Sequence, residues 1–430
     1  MNFAVYRDLL RIRAVRTLLL VGMIARFPHS AAGVLLTLHV VQTLDRGYAE
    51  AGAVAAIVTI GIAVGAPWRG RRIDTVGLRR ALVPSILAEA LIWSIAPHLP
   101  YRWLLVAALV GGLFTLPAFS VIRQALGVLV DGDRRRTAFT LDAISTEVIF
   151  MAGPAVGIVL ATQVSTVLGL TLVGLATASA GLFLLWFNPP TRSDQLPDAA
   201  LLSAAAPADV SEAAADLIGL PTDVPPLRAR GSLLRRGVRR ALPWLTVPLV
   251  MVMVIAVGAG LVLSGSEVGM VAALELSGAE GRLGIVFAAW CAASVVGGLI
   301  YGALHRPVPP ALLLLGMALL SLPLGFAGST LSLALLSIPA GLLVAPVLSA
   351  ASEKVADLVA EDRRGEAMGW YGSALTSGVA LGAPVAGVLI DAVGPWAGFT
   401  AVAAVAAVIA LVGLVVRDRQ PRQVPARASA

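Results

Sequence analysis

Long apolar runs follow one another along this chain, separated by short segments rich in charge, glycine or proline. Twelve such runs can be read, each of about 18 to 31 residues. A helix that crosses a bilayer needs about 20 mostly apolar residues. The pattern therefore predicts twelve transmembrane helices, over residues 17–44, 48–68, 80–97, 102–123, 137–162, 165–187, 244–274, 282–304, 309–327, 330–351, 366–391 and 395–416.

The composition favours the same class. The 430 residues have a mean hydropathy of +0.88, and 58% of them are hydrophobic while 13% are charged. A soluble domain of this size could not bury so much apolar surface. We expect an all-α polytopic membrane protein in a lipid bilayer. The net charge of +7 does not indicate nucleic-acid binding, because the topology accounts for where the charge lies.

Few residues have the chemistry of a catalytic or cofactor site. Cys291 is the single cysteine, and the four histidines are scattered without metal-ligand spacing. The only lysine, Lys354, is followed by valine, which excludes a phosphate-binding loop ending in Lys-Ser or Lys-Thr. The sequence shows no nucleophile paired with a base. We expect no metal, no cofactor and no enzymatic activity.

Positive charge falls almost wholly on one side of this topology. With a cytoplasmic N-terminus, 28 of the 32 Lys and Arg residues lie in cytoplasmic segments, and three (Arg46, Arg102 and Arg282) lie in outer loops. The positive-inside rule therefore predicts that both termini are cytoplasmic. The remaining one, Arg26, interrupts the first apolar run, and no small-residue cleavage site follows it. We predict that this run is an uncleaved helix rather than a signal peptide.

A polar stretch divides the apolar pattern into two parts. We predict an N-terminal six-helix bundle over residues 1–187, a cytoplasmic linker over 188–243, a C-terminal six-helix bundle over 244–416 and a cytoplasmic tail over 417–430. The linker is rich in Pro and Ala and ends in a basic segment with interleaved leucines. That basic segment is either a helix on anionic lipid headgroups or a solvated run of charge.

The two predicted bundles repeat one another. A gapless shift of 229 residues superposes the sequence DRR at 133–135 on DRR at 362–364, and a shift of 236 superposes residues 21–33 on 257–269. Two bundles of the same orientation imply pseudo-two-fold symmetry about the membrane normal. Transporters built from such repeats bind their substrate between the halves, near the midplane.

The loop between spans two and three reads GRRIDTVGLRR over residues 70–80. It resembles the signature of the major facilitator superfamily in that loop, and together with twelve spans in two halves the resemblance covers the whole chain. It departs from the family pattern at Thr75, where Arg or Lys is usual. The residues that carry the resemblance are Gly70, Asp74, Gly77, Arg79 and Arg80.

In that family the loop acts as a latch that ties the two halves together on the cytoplasmic side. The resemblance implies that Asp74 contacts the start of span eleven near Gly369 and Trp370, with Arg123 as a charge partner. The two glycines would permit close approach and a tight turn. For Arg71 we expect only a role in orienting the chain during insertion.

Residues 153–157 read GPAVG and return in the second half as GAPVAG at 382–387. The first element resembles the glycine-proline element of the family's proton-coupled exporters, although Ile158 stands where a second glycine is usual. Proline removes one backbone donor, and glycines let another helix approach closely. The predicted helix-packing residues are Gly153, Pro154, Gly157, Gly382, Pro384 and Gly387.

Charged residues inside the spans need a partner or a function, because burying one costs at least ~2.5 kcal/mol. Arg26 lies near the midplane in a polar stripe that we expect to line a water-filled cavity, and it is either a substrate anchor or a structural arginine. Glu147 and Glu267 are candidate proton carriers, because an acid in an apolar site exchanges its proton when its surroundings change. Asp142 lies about 140° from Glu147 around the helix, so the two acids do not share a face. The substrate and proton candidates are Arg26, His29, Ser30, Thr37, Glu147 and Glu267.

Together these features favour a secondary active transporter that exports a small organic molecule, such as a drug, sugar or metabolite, by proton antiport and alternating access. An uptake symporter or uniporter on the same scaffold is the alternative. The alternative from another class is a non-transporting membrane receptor or partner-binding protein. We expect a monomer whose partners are its substrate, protons and lipid. The excess of Arg over Lys and the Ala, Gly and Val bias indicate a GC-rich bacterial genome, and so a bacterial cytoplasmic (inner) membrane.

Overall fold

The computed structural model describes residues 4–130, 133–196, 244–279, 282–304 and 306–418, and all regular secondary structure in these ranges is helical. Most of the predicted linker and the tail from residue 419 lie outside the described residues. The predictions for those two segments stay predictions.

Most helices of the first half begin and end close to the predicted spans. The helix of span two, however, continues to Val76 and the next one begins at Leu78, so most of the predicted loop at 70–80 is helical. Ser165 begins the last helix of this half, because its hydroxyl accepts the backbone N–H of Leu168 at 3.0 Å. Asn188, in the left-handed region with φ +44°, ends it. The helices are α1 (Ala4–Arg11), α2 (Arg13–Leu38, continued by a π-turn at His39–Thr43), α3 (Tyr48–Val76), α4 (Leu78–Ile95), α5 (Tyr101–Phe114), α6 (Ala118–Leu129), α7 (Asp133–Gln163) and α8 (Thr166–Phe187).

The second half follows the same order. Its last two helices are separated by Gly394, whose φ of +122° favours glycine. The helices are α9 (Val247–Leu276), α10 (Leu283–Gly302), α11 (Pro310–Ser321), α12 (Thr330–Gly341), α13 (Val344–Leu358), α14 (Arg364–Val393) and α15 (Pro395–Asp418).

Eleven helical segments of the described chain are long and apolar enough to cross a membrane. The predicted ninth span is shorter, because α11 has 12 residues and continues as a 3₁₀ turn over Leu322–Phe326. Pro323 in that turn has no backbone N–H, and its ring prevents the α-helix from continuing. The prediction of an all-α polytopic membrane fold is confirmed, with eleven full-length spans and one shorter apolar segment where twelve spans were predicted.

Span four is broken between α5 and α6, which the sequence analysis did not predict. Buried side chains satisfy the backbone groups at the break. The Arg69 guanidinium donates to the carbonyls of Gly112 and Leu113 at the end of α5. The Glu89 carboxyl accepts the backbone N–H of Leu116 at 3.2 Å, just before α6. The two carbonyls end α5 and the N–H group precedes α6, and backbone groups at helix ends have no partner within the helix.

Span ten is broken at the equivalent place, between α12 and α13. Here the hydroxyl of Ser294 accepts the backbone N–H of Ala345 at 3.2 Å. Ala345 lies 229 residues after Leu116, which is the shift that relates the two halves. The break is therefore a feature of the repeat, although a serine replaces the charged pair that satisfies it in the first half.

Buried apolar side chains form separate clusters within each half. A further cluster joins Phe139 of α7 to Met368 and Tyr371 of α14. The halves also meet where α3 packs along α14 and where α7 packs along α10 and α13. Polar groups on these helices are thus brought to the boundary between the halves.

Candidate functional site

A buried ion-pair cluster joins α2, α6 and α7. Asp142 of α7 has no exposed surface and binds two guanidinium groups. Arg26 Nη1 donates to its Oδ1 at 2.6 Å, and Arg123 Nε donates to its Oδ2 at 3.0 Å. Arg26 Nη1 also donates to Thr146 Oγ1 at 3.1 Å. Arg26 and Arg123 are 2% and 5% exposed, so all three charges are removed from solvent.

Aromatic rings cover both guanidinium groups. The Arg26 guanidinium carbon lies 4.4 Å from the ring centroid of Phe119, and that of Arg123 lies 5.9 Å from the same ring. Arg123 also lies 5.5 Å from the ring of Tyr371, on α14 of the second half. Cation–π contacts of this kind stabilise a cation that has lost its water. The cluster therefore reaches the boundary between the halves.

Asp142 is the member of this cluster that the sequence analysis did not select. The available signal was its spacing of four residues from Thr146, which puts both side chains on one face of α7. Its partner Arg26 lies 116 residues away, and no helical spacing relates the two. Only the packing of α2 on α7 identifies the pair.

Asp74, near the end of α3, lies against the first turn of α14. Its carboxylate accepts the backbone N–H of Gly365 at 3.0 Å and of Glu366 at 2.7 Å, and the side-chain Nε2–H of Gln124 at 3.0 Å. The first N–H groups of a helix have no partner within it, and a negative charge there also interacts favourably with the helix dipole. This contact joins the two halves about one turn before the predicted position.

The predicted charge partner of Asp74 is wrong. Arg123 pairs with Asp142, and the neighbouring Gln124 donates to Asp74 instead. Successive residues of a helix point about 100° apart, so α6 directs these two side chains to different partners. Arg192, just beyond α8, donates to the backbone carbonyl of Asp74.

The other loop residues have different surroundings. A Cβ on Gly70 would collide with the carbonyl oxygen of Gly365, so glycine permits α3 to approach α14. Gly77 has a φ of +81° and separates α3 from α4. Arg79 and Arg80 are exposed at the start of α4, and their predicted part in the latch stays a prediction.

A second contact joins α1 and α7 of the first half to the end of α10 in the second half. Side chains of the first half donate to backbone carbonyls of the second half. The bonds are Arg136 Nη1 to the carbonyl of Leu304 (2.7 Å), Thr137 Oγ1 to the carbonyl of Gly302 (2.8 Å) and Tyr6 OH to the carbonyl of Leu299 (2.8 Å).

Among the described residues, the hydrogen bonds between the halves lie on one side of the bundle. They extend from the middle of α3, where Ser373 donates to the carbonyl of Ala63 at 2.5 Å, to the end where α3, α10 and α13 finish and α7 and α14 begin. We call this end the Asp74 side. The two halves are therefore closed against each other on the Asp74 side.

The polar stripe of α2 packs against α7 in part. Ser30 donates to the carbonyl of Ile149 on α7 at 3.2 Å, and Thr37 donates to the carbonyl four residues earlier in α2 at 3.0 Å. Arg26 and Ser30 are buried instead of lining a water-filled cavity, so this part of the prediction is wrong. The physical reason is that α7 packs over this stripe and supplies partners for Arg26 Nη1 and for the Ser30 hydroxyl. His29 is half-buried.

The two predicted proton carriers lie in different halves. Glu147 is half-buried on α7, and Glu267 is exposed on α9. Neither carboxyl has a hydrogen-bond partner within the described ranges, in contrast to Asp142, so their predicted role in proton exchange stays a prediction.

The glycine-proline elements bring paired helices together at equivalent positions of the two halves. A Cβ on Gly153 of α7 would lie 2.6 Å from the Cβ of Ser30 on α2. A Cβ on Gly382 of α14 would lie 2.5 Å from the carbonyl oxygen of Leu261 on α9. Both distances are too short for a side chain, so the absence of one permits each contact.

The remaining members of the elements differ from one another. A Cβ on Gly157 would lie 2.8 Å from a backbone oxygen of α2, so this residue also lies at the contact. For Gly387, no described atom lies within 4 Å of such a Cβ, and its predicted packing role is wrong. It lies five residues after Gly382, about 140° around α14, and so faces away from α9. Pro154 is half-buried and Pro384 is exposed.

Comparison with known proteins extends these observations. The model of the major facilitator superfamily matches residues 18–310 and 268–430. Among curated proteins, none matches this chain.

Solved structures share the fold along nearly the whole chain. The human organic anion transporter MFSD10 is 18% identical, with 93% of this chain and 99% of that chain covered and a TM-score of 0.66. A bacterial homologue of the iron transporter ferroportin, in an outward-facing state, is 14% identical with 95% and 100% covered and a TM-score of 0.69. The proton:xylose symporter XylE is 13% identical with 93% and 95% covered and a TM-score of 0.66. Identities this low show the fold alone.

The family match spans both halves, and the fold, the loop motif at 70–80 and the contact of Asp74 with α14 agree with it. Proteins of this family are secondary transporters of small molecules in lipid bilayers rather than enzymes. The chain is therefore a multi-pass membrane transporter that belongs to the major facilitator superfamily.

Proposed function

We propose that this transporter exports a small organic molecule in exchange for protons by alternating access. The observation that carries the proposal is the one-sided contact between the halves. The described residues bond across the boundary from the middle of α3 to the Asp74 side, and they give no such bond on the opposite side. Alternating access requires two halves that part on one side while they stay closed on the other.

The position of the ion-pair cluster supports a binding site within the bundle. Arg26 lies 13 residues into α2 from Arg13, which corresponds to roughly 20 Å along the helix. Tyr371 of the second half lies against the cluster. A ligand at this depth would contact both halves, and both would respond to its binding.

Two carboxyls support proton coupling. Glu147 lies on α7 of the first half and Glu267 on α9 of the second, and neither carboxyl has a hydrogen-bond partner within the described ranges. A carboxyl without a bonded partner is free to bind and release a proton as the halves move. Export is the proposed direction because of the resemblance of the element at 153–157 to that of the family's proton-coupled exporters.

Reconstituted protein with an imposed pH gradient tests this function on a panel of small organic compounds. Glu147→Gln and Glu267→Gln mimic a permanently protonated acid. At least one of them should abolish gradient-driven transport while exchange of substrate for substrate survives. Glu275→Gln, an exposed acid near the end of the same helix as Glu267, is the matched control and should transport normally. Full gradient-driven transport by both test variants would show that coupling does not depend on these acids.

The proposed orientation places the Asp74 side in the cytoplasm, so the closed side of this structure faces inward. A cysteine at Ser203, in a Cys291→Ala background, tests it, although position 203 lies outside the described residues. Only reagents that cross the membrane should label it in intact cells. Labelling by an impermeant reagent from outside would reverse the orientation.

A further inference from the structure

The ion-pair cluster is unbalanced in charge. Asp142 is a single carboxylate between two guanidinium groups, and it gives one oxygen to each of them. Among the described residues, Asp142 is the carboxylate within ion-pair distance of Arg26 and of Arg123. The three side chains therefore leave one positive charge without a counter-ion, in a place where water does not reach it. A buried charge of this kind calls for an opposite charge.

Arg26 also has unused donors on one particular edge. Its Nη1 bonds Asp142 and Thr146, whereas Nε and Nη2 are buried and have no hydrogen-bond partner among the described residues. Nε–H and one Nη2–H of a guanidinium point in the same direction, as a fork that matches the two oxygens of a carboxylate. The free edge of Arg26 thus has both the charge and the geometry to bind one carboxylate in two hydrogen bonds.

We propose that the transported molecule is an organic anion whose carboxylate binds the Nε and Nη2 edge of Arg26 in the ion-pair cluster. This inference rests on the proposed function. The bound carboxylate makes the cluster neutral, with two negative and two positive groups, and it satisfies the two buried donors of Arg26 that have no hydrogen-bond partner among the described residues.

The surroundings of Arg26 determine what else the molecule must offer. Phe119 covers one face of the guanidinium, and Phe150 stacks with Phe119 at 6.4 Å between centroids. Tyr371 closes the cluster from the second half. The body of the anion is therefore apolar or aromatic. It enters from the side opposite Asp74, where the described residues give no hydrogen bond between the halves.

Matched compounds that differ only in charge test the inference. The probes are 4-phenylbutyrate, 4-phenylbutyramide and 4-phenylbutylamine, together with hexanoate, hexanamide and hexylamine. Binding is followed in detergent as the rise in Tm with ligand concentration, since a ligand that binds only the folded protein stabilises it. The two acids should raise the Tm of the wild-type protein, and the amides and amines should not.

Substitutions then locate the site. Arg26→Gln should raise the apparent Kd of the acids at least about tenfold. It leaves Asp142 paired with Arg123, so the cluster loses its excess charge without losing all its bonds. Arg26→Lys keeps the charge but lacks the paired Nε and Nη2 donors, so the Kd of the acids should lie between the wild-type and Arg26→Gln values. This variant tests the site if Arg26→Gln folds poorly. Arg46→Gln, an exposed arginine in an outer loop, should match the wild-type protein.

Each outcome separates this inference from the proposed function. If amides or amines bind and are carried by a pH gradient while the acids are not, transport stands and the anion site fails. If the acids bind through Arg26 but no gradient moves them, the anion site stands and proton-coupled transport fails. If no acid raises the Tm, or if Arg26→Gln binds the acids as well as the wild-type protein does, the anion site is overturned.

Discussion

The two halves of the protein share one helix plan but differ in charge at equivalent positions. Each member of the ion-pair cluster in the first half has a neutral counterpart in the second, by the shift of 236 residues for α2 and of 229 for α6 and α7. The equivalent pairs are Arg26 and Val262, Asp142 and Tyr371, and Arg123 and Ser352. Tyr371 itself contacts the cluster, because its ring centroid lies 5.5 Å from the Arg123 guanidinium carbon.

Helix packing, in contrast, is repeated. Gly153 and Gly382 are equivalent by the same shift of 229, and both permit contact between the equivalent helix pairs α2–α7 and α9–α14. The breaks in spans four and ten also recur at the same position. The two halves therefore share helix packing, while the buried ion pairs of Arg26, Arg123 and Asp142 belong to the first half.

The contacts between the halves show a similar asymmetry. Where α3 meets α14, one carboxylate, that of Asp74, accepts two backbone N–H groups. Where α10 meets α7, Arg136 and Thr137 donate to backbone carbonyls, and Arg136 also lies 3.6 Å from Glu353. The first contact has one charged acceptor, Asp74, with a neutral bond from Ser373 to the carbonyl of Ala63 further along α3. The second is distributed over several donors.

Asp142→Asn should have the largest effect, because it leaves two buried guanidinium groups without a counter-ion. Removing one partner of a buried ion pair costs about 3–5 kcal/mol of stability. The equivalent change in the second half, Tyr371→Phe, removes a hydroxyl that donates to the carbonyl of Leu348 at 3.2 Å. That loss costs about 0.5–1.5 kcal/mol. Thermal unfolding of the purified variants in detergent measures both.

The control for this pair is Asp142→Glu, which keeps the charge and should recover part of the lost stability. Should the asparagine variant fail to fold, its yield relative to the glutamate variant gives the same comparison. Equal losses in Asp142→Asn and Tyr371→Phe would mean that the equivalent positions do not differ in their dependence on charge.

Glycine substitutions test the helix packing that the two halves share. Gly382→Ala and Gly153→Ala should both destabilise, because the new methyl group would overlap the Leu261 carbonyl oxygen at Gly382 and the Oγ and Cβ of Ser30 at Gly153. Overpacking of this kind costs about 1–3 kcal/mol. Gly387→Ala is the control and should be neutral or slightly stabilising, since it faces open space on the same helix. A loss at Gly387 as large as at Gly382 would contradict the assigned contacts.

Sequence reasoning reached the features that depend on local pattern. The apolar runs predict the helices. The repeat of the glycine-proline element predicts that Gly153 and Gly382 lie at helix contacts, and both do. The family resemblance placed Asp74 within one turn of its contact on α14. The breaks in spans four and ten were missed, although Pro117 and Pro346 lie beside them.

The sequence does not predict which side chains of distant helices form pairs. The sequence shows Arg26 as a cation within a span, but its partner Asp142 depends on how α2 is rotated against α7. The family resemblance gives Arg123 as the partner of Asp74, whereas a difference of one residue decides which side chain of α6 faces α3. Rotation of a helix about its axis is set by packing, and a single sequence does not display it.

Asp74→Asn should change the free energy less than Asp142→Asn does, yet its effect on transport should be clear. Asparagine has one acceptor oxygen and no charge, so it holds the backbone N–H groups of Gly365 and Glu366 less well and weakens the closed state of the Asp74 side. Transport by reconstituted protein should fall about tenfold, which corresponds to about 1.4 kcal/mol. Arg71→Gln, an exposed change three residues away, should transport nearly as the wild-type protein does. If Asp74→Asn transports normally at equal protein levels, the contact with α14 is structural, and the difference between the two contacts has no part in the transport cycle.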